Sequence, residues 1–230
     1  LTKIPRLADS LLAGNDQFKY EWYANQLLPL IDNAENGTVA VADTAGGSLT
    51  VPTAATDNDA SLVNTPEHFK FGDDKPFWGQ FIGSYTEANT DDANVYVGFA
   101  NAPDADLMVD DGAGPKVDMS GAGFFKVDGG TNWNIIVSVG TDQHKAELTA
   151  ANALDGVAHA AGGAFNMQIE VVSVSATEIR VNFYLDGVHV YQRKHALGTP
   201  TEMAAVFKIK AGGANVETLN CKALLAAGVR

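Results

Sequence analysis

Along most of this chain, apolar residues alternate with polar ones. The clearest run is IRVNFYL, Ile179 to Leu185. Ile179, Val181, Phe183 and Leu185 take every second position, and Arg180, Asn182 and Tyr184 lie between them. A period of two places successive side chains on opposite faces of a strand, so the run predicts one buried face and one polar face. Asp186-Gly187 follows, and then VHVYQRK. An Asp-Gly pair supplies the positive φ angles of a two-residue type I′ turn, which predicts a hairpin. From His68 onward the pattern recurs in FWGQFIGSYT, NVYVGFANA, GFFKVDG, WNIIVSVG, AFNMQIEVVSVS, EMAAVFKIKAGG and VETLNCKALLAAG. These runs are rich in Val, Ile, Phe and Tyr, are separated by Gly, Asp and Asn, and have no helical pattern between them. The expectation is an all-β fold, a two-sheet antiparallel jelly-roll sandwich over residues 67–230.

The first 66 residues read differently. In NDQFKYEWYANQLLPLIDNAENG, Phe18, Trp22, Leu27, Leu28 and Ile31 approximate the spacing of one helix face. Asn15 or Asp16 would cap it, Pro29 would kink or end it, and Gly37 closes the segment. This predicts an N-terminal helical arm over residues 1–45. A lone amphipathic helix is marginal in water, so the arm must dock, either on its own domain or on a neighbouring subunit. Phe18, Trp22, Leu27 and Ile31 are its candidate partner-binding residues. Residues 46–66, rich in Gly, Thr, Ala and Asp, read as a linker with a short strand near Ser48–Thr53.

Charge and candidate chemistry narrow the function. With 28 acidic and 15 basic residues the formal net charge is −13. That argues against nucleic acid, whose phosphates are bound by clustered Lys and Arg. No apolar run approaches the ~20 residues of a membrane-spanning helix. The single cysteine, Cys221, lies in LNCKALLA and reads as a buried thiol. The five histidines lack the spacing of a zinc site, and no Gly-x-Ser-x-Gly elbow occurs. AGGAF and KAGGAN read as turn glycines rather than phosphate loops. No catalytic residue, cofactor or metal ligand is therefore expected. Two acidic loops carry oxygen ligands of the kind calcium uses: TEANTDDAN with Asp91 and Asp92, and NAPDADLMVDDGAGPKVD with Asp104, Asp106, Asp110, Asp111 and Asp118. Neither has EF-hand spacing, and a solvated loop is the expectation for both. Trp78, Tyr85, Tyr96 and Trp133 are of the type on which sugars stack, but each lies in a strand-like run and is expected in the core.

From about Glu67 to Gly228 the chain resembles the concanavalin A-like lectin and glucanase jelly rolls. The segments that carry the likeness are FWGQFIGSYTEANTDDANVYVGFANA, GFFKVDGGTNWNIIVSVGTDQ, IRVNFYLDGVHVYQRKHALGTP and MAAVFKIKAGG. The GFFKVDGG segment is similar to domains of bacteriophage head-decoration proteins. That resemblance implies a structural virion protein on the outer capsid surface, assembled in the host cytoplasm. It would clamp the major capsid protein, most naturally as a homotrimer. The alternative is a carbohydrate-binding, lectin-like module whose partners are glycans. Enzymes of this superfamily place Glu-x-Asp-x-x-Glu on one strand, so that two carboxylates flank the scissile bond. Here Glu170 and Glu178 stand alone on their strands, and no hydrolase activity is expected.

Overall fold

The computed structural model describes residues 17–23, 30–42, 47–72 and 74–229. They form seventeen strands and a single 3₁₀ turn, Ala105–Leu107, with no α-helix among the described residues. Two antiparallel sheets face each other. One runs in the order β15 (Val188–Ala196), β14 (Glu178–Leu185), β13 (Ala164–Ser175), β6 (Phe77–Thr86), β17 (Thr218–Val229), β4 (Ser48–Pro52), β3 (Ala40–Ala42). The other runs β12 (Asp142–Glu147), β11 (Asn134–Val139), β10 (Gly121–Lys126), β7 (Ala93–Ala100), β16 (Ala204–Ala211), β5 (Ala60–Asn64), β2 (Ile31–Asp32). The predicted all-β, two-sheet jelly-roll class is what the chain adopts.

The core lies between the sheets. Ile179, Val181, Phe183 and Leu185 all enter it, as the alternation of IRVNFYL requires. Asp186 and Gly187 have φ of 50° and 85°, the positive pair that joins β14 to β15. Aromatic rings cross the gap edge to face: Phe124 on Phe183 at 5.3 Å, and Phe81 on Phe207 at 5.5 Å. Cys221 is buried in the same core, and desolvation pushes its thiol well above its ordinary pKa.

Two expectations differ from what the described residues show. Those of the predicted helical arm hold strands and bends and no helix. Gln17–Tyr23 forms β1, paired antiparallel with β17 from Gln17↔Val229 to Tyr23↔Ala223. Phe18, Tyr20 and Trp22 alternate with Gln17, Lys19 and Glu21. Phe18 and Trp22 therefore satisfy a period of two as well as an i,i+4 step, and aromatics favour strands. The free edge of β17 decides between the two periods. β4 covers this edge only from Thr218 to Cys221, and β1 continues the ladder beyond it. Ile31 begins β2, on the opposite sheet, and its side chain is exposed. Leu27 and residues 1–16 lie outside the described residues.

The expected linker holds the short strand read near Ser48–Thr53, as β4, and a further one, β5, and both belong to the sandwich. β4 joins one sheet, and β5 lies inside the other, between β16 and β2, with all five of its residues buried. Its composition hid it, because a five-residue strand with Ala and Ser is averaged away by the turns around it. Ser61 Oγ donates to Pro52 O at 2.6 Å, which satisfies the buried hydroxyl.

The central strands of the seven-stranded sheet, β10, β7, β16 and β5, are buried on both faces. The sheet's outer face carries Leu62, Tyr96, Phe125, Ile136 and Val206, and the segment 101–120 lies across it. Leu107, Met108 and Met119 of this flap complete a second apolar cluster. Side chains of the sheet bind the flap backbone. Lys208 Nζ donates to Asp104 O at 3.1 Å and Ala105 O at 2.8 Å. Lys210 Nζ donates to Met108 O at 3.1 Å and pairs with Asp110. Lys145 Nζ reaches Pro115 O at 2.8 Å from the far edge, and Ser138 Oγ reaches Met119 O at 2.6 Å. Burial, aided by the charge of Lys210 and opposed by Glu35, Asp104 and Asp106, brings the Lys208 ammonium down to about 7.

Two predictions follow from this packing. Phe183→Ala removes a ring with no exposed surface and should cost about 3–5 kcal/mol. An unchanged denaturant midpoint would contradict that placement. Lys208 is protonated in the unfolded chain up to its ordinary value of 10.5 but only to about 7 when folded. The unfolded state thus holds the extra proton between these values, so the Lys208 contribution to stability is lowest below about 7 and rises with pH up to 10.5. Lys208→Met should flatten the stability–pH slope in that window, and equal slopes for the two proteins would contradict the assignment.

Candidate functional site

With the outer face of the seven-stranded sheet covered, polar groups converge at one end of the sandwich. Three connections meet there: residues 87–92 between β6 and β7, 127–133 between β10 and β11, and 212–217 between β16 and β17. The first turns on Asp91, whose φ is 63°, a conformation that Asp and Asn tolerate better than most side chains. Glu87 Oε1 accepts the backbone N–H of Ala93 at 2.9 Å and closes this loop. Asp92 Oδ2 accepts from Asn89 and from Asn215, each at 3.1 Å, and so joins the first loop to the third. Asn94 Oδ1 accepts from Asp128 N at 3.0 Å, and Asp91 O from Gly129 N at 2.8 Å, which fixes the second loop. A side chain at Gly212 would collide with Asp92 O and with the Asp128 carboxyl, so the third loop passes there only as glycine.

The electrostatics are one-sided. Glu87, Asp91, Asp92, Asp128 and Glu217 gather around one cation, Lys126, whose side chain is fully buried. Lys126 Nζ is 2.7 Å from Glu87 Oε1 and also donates to Ala93 O at 3.0 Å. Burial raises the carboxyl pKa of Asp128, and the charge of Asp92 adds to the rise. Burial likewise raises Glu217, against a lowering hydrogen bond from the Ala88 N–H. The hydroxyl of Tyr85 is pushed up by burial and by Glu87 and Asp91.

Beside this cluster lies a recess of about 390 Å³ lined by Tyr85, Glu87, Ala88, Asn89, Thr90, Gly162 and Gly163. Tyr85 is 4% exposed, and its ring meets Trp133 edge-on at 5.7 Å. Its hydroxyl has no partner, nor have Asn94 Nδ2 and Glu217 Oε1. Buried polar atoms are normally satisfied; three of the unpartnered ones lie at this end of the sandwich, and three more, Trp78 Nε1, Arg180 Nε and His189 Nε2, lie on the eight-stranded sheet. A side chain at Gly162 or Gly163 would meet no atom within 4 Å, so both face open space.

The residues singled out in the sequence divide. Phe18 and Trp22 fall on β1, Ile31 falls on β2 in the other sheet, and Leu27 lies outside the described residues. Trp78, Tyr85, Tyr96 and Trp133 are all buried. Among the described residues no group of three His, Cys, Asp or Glu could hold a metal ion. The second acidic loop is the flap, with Asp104 paired to Lys116 and Asp110 to Lys210. Glu170 accepts from Asn182 at 2.7 Å, and Glu178 pairs with Lys194 at 3.3 Å. His144 meets the hydroxyl of Tyr191 at 2.8 Å, and His195 meets Asp142 O at 3.1 Å, both across the sandwich edge. Asn89, Thr90, Asn94, Gly163 and Glu217 were missed. The Gly-rich and Asp-rich turns that carry them look like any solvated turn until the strands bring them together.

No family model and no curated protein matches this sequence. Solved structures match in fold. Peanut lectin bound to a 9-residue peptide superposes with a TM-score of 0.59 at 10% identity, covering 94% of this chain and 98% of that one. The endo-β-1,4-glucuronan lyase of the fungus Trichoderma reesei gives 0.56 at 13% identity, covering 93% and 95%. The lectin UEA-II in complex with galactose gives 0.54 at 12% identity, covering 94% and 100%. At these identities the likeness is one of architecture: the chain has the lectin-like, concanavalin A-like jelly roll.

Proposed function

We propose that the protein is a carbohydrate-binding module whose ligand enters the recess between residues 87–90 and Gly162–Gly163. The observation that carries this reading is an open recess whose lining sets Tyr85 beside polar side chains held in place, Glu87 by Ala93 N–H and Asn89 by Asp92, with Thr90 exposed on its rim. Sugars need that combination, because their hydroxyls demand several donors and acceptors held in place. The lectins of the same architecture support the reading by analogy. The module binds and does not cleave. Glu170 and Glu178, the two strand carboxylates of the β13–β14 hairpin, are each engaged by a different partner and do not act as a pair. A lyase shares the fold, so this part of the reading rests on the residues and not on the architecture. The virion reading has no comparable support. It rests on resemblance alone, and β1, a part of its clamping arm, pairs within its own chain. The major capsid protein and the homotrimer therefore remain without an observation in their favour.

The test is a glycan screen followed by two variants. Asn89→Ala removes an exposed amide of the recess lining, so stability should hold while affinity falls by about 0.5–1.5 kcal/mol. Gly163→Asn keeps a left-handed backbone that Asn tolerates, at φ 63°, and fills the recess, so binding should be lost. A screen without binders, or two variants that bind like the parent, would overturn the proposal.

A further inference from the structure

We propose that the edge where β12 meets β15 is an acid-released clasp, which holds the two sheets together while its imidazoles are neutral and loosens when they take up protons. Its working is independent of what the recess binds. β12 and β15 are each the last strand of their sheet, so no further strand covers their outer sides. Side chains fasten them to each other instead. His144 Nε2 meets Tyr191 Oη at 2.8 Å, and the two rings stack with centroids 5.9 Å apart. His195 Nε2 meets Asp142 O at 3.1 Å and lies 3.6 Å from Asp142 Oδ2. Tyr191 carries the contact inward: its ring meets Phe183 at 6.5 Å, and Phe183 meets Phe124 of the other sheet at 5.3 Å.

The charges at this contact are mostly of one sign. β15 brings Tyr191, Arg193 and His195 to it, and β12 brings Asp142 and His144. The side chains between them are engaged elsewhere. Gln143 and Lys145 bond flap carbonyls, and Glu147 accepts from Asn132. Gln192 bonds Asn182, and Lys194 pairs with Glu178. β11, NIIVSV, has no ionisable residue, and β14 turns Ile179, Val181 and Phe183 into the core. A proton on His144 therefore meets the charges of Arg193 and His195. The carboxylate at hand is Asp142, which is 68% exposed and so gives its counter-charge largely to water. Burial, Arg193 and His195 hold the His144 imidazole below its ordinary 6.5. Its bond to Tyr191 survives protonation, because a hydroxyl accepts as well as donates; the cost is electrostatic. The loosened edge binds the proton more readily than the closed one. Closure is thus fully in place above 6.5 and weakens as pH falls below that value.

The experiment follows the full chain by NMR between about pH 7.5 and about pH 5, the range in which histidine changes charge. The ring signals of His144 give its titration midpoint. Amide hydrogen exchange, corrected for the intrinsic effect of pH, gives the protection of each strand. The midpoint of His144 should lie below 6.5. On acidification β12 and β15 should lose protection while β7 and β10 keep theirs. His144→Gln cannot take up the proton, so its two edge strands should lose less. Arg193→Gln removes a facing charge at an exposed position, so the fold is kept even where His144→Gln disturbs it. It should move the His144 midpoint upward and reduce the loss. A His144 midpoint at or above 6.5 overturns the inference. So does a loss spread evenly over all strands, or one of the same size in the parent and in Arg193→Gln.

Discussion

Burial of the central strands of the seven-stranded sheet on both sides is the constraint on which the rest of the molecule depends. All eight residues of β7, its central strand, are buried. Val95, Val97 and Phe99 face the other sheet, whereas Tyr96 faces the flap. A sandwich sheet ordinarily keeps one face in water, and its alternation then separates apolar from polar residues. Here the outward positions of β16 include Lys208 and Lys210, and both are covered. Burying an ammonium is costly unless its donors are met, so the flap has to bring carbonyl oxygens to them. It does so with Asp104, Ala105 and Met108. The flap is thus fixed by the lysines, and the lysines are tolerable only because of the flap.

This arrangement decides where function can lie. The flap removes the broad outer face of the sheet from solvent and leaves the loop end open. There the 87–92, 127–133 and 212–217 connections are tied to one another by Asp92, Asn94 and Gly212 rather than to bulk water. Loops cross-linked in this way lose little further entropy on binding, which is the condition for recognising a polar ligand. The same end gathers five carboxylates around one sequestered lysine.

Much of the fold was legible in the alternation, and what was not has physical reasons. IRVNFYL and Asp186-Gly187 were read correctly because period and turn chemistry agree there. QFKYEWY was read as helix because an i,i+4 step is shared by both periods, and only the open edge of β17 distinguishes them. β5 was lost among turn residues. FKIKA, Phe207 to Ala211, showed its alternation, but nothing local tells that its lysines meet carbonyls about 100 residues away in sequence rather than water. The site was less legible still. Tyr85, Asn94 and Glu217 matter through atoms left without partners, and that is a property of packing. The contact between Glu217 and Ala88 spans 129 residues of sequence. The two acidic loops look alike in composition, yet one is a covering flap and the other is the rim of the recess.

The location of the ligand is the central claim, and backbone amide shift mapping of the labelled protein during titration with a binding saccharide tests it most directly. The account predicts perturbations concentrated on Asn89, Thr90, Gly162 and Gly163, reaching Asp128 and Asn215, with the flap and the outer face of the eight-stranded sheet unmoved. Perturbations centred instead on Trp78, Gln80 and Asn182 of that outer face would contradict it.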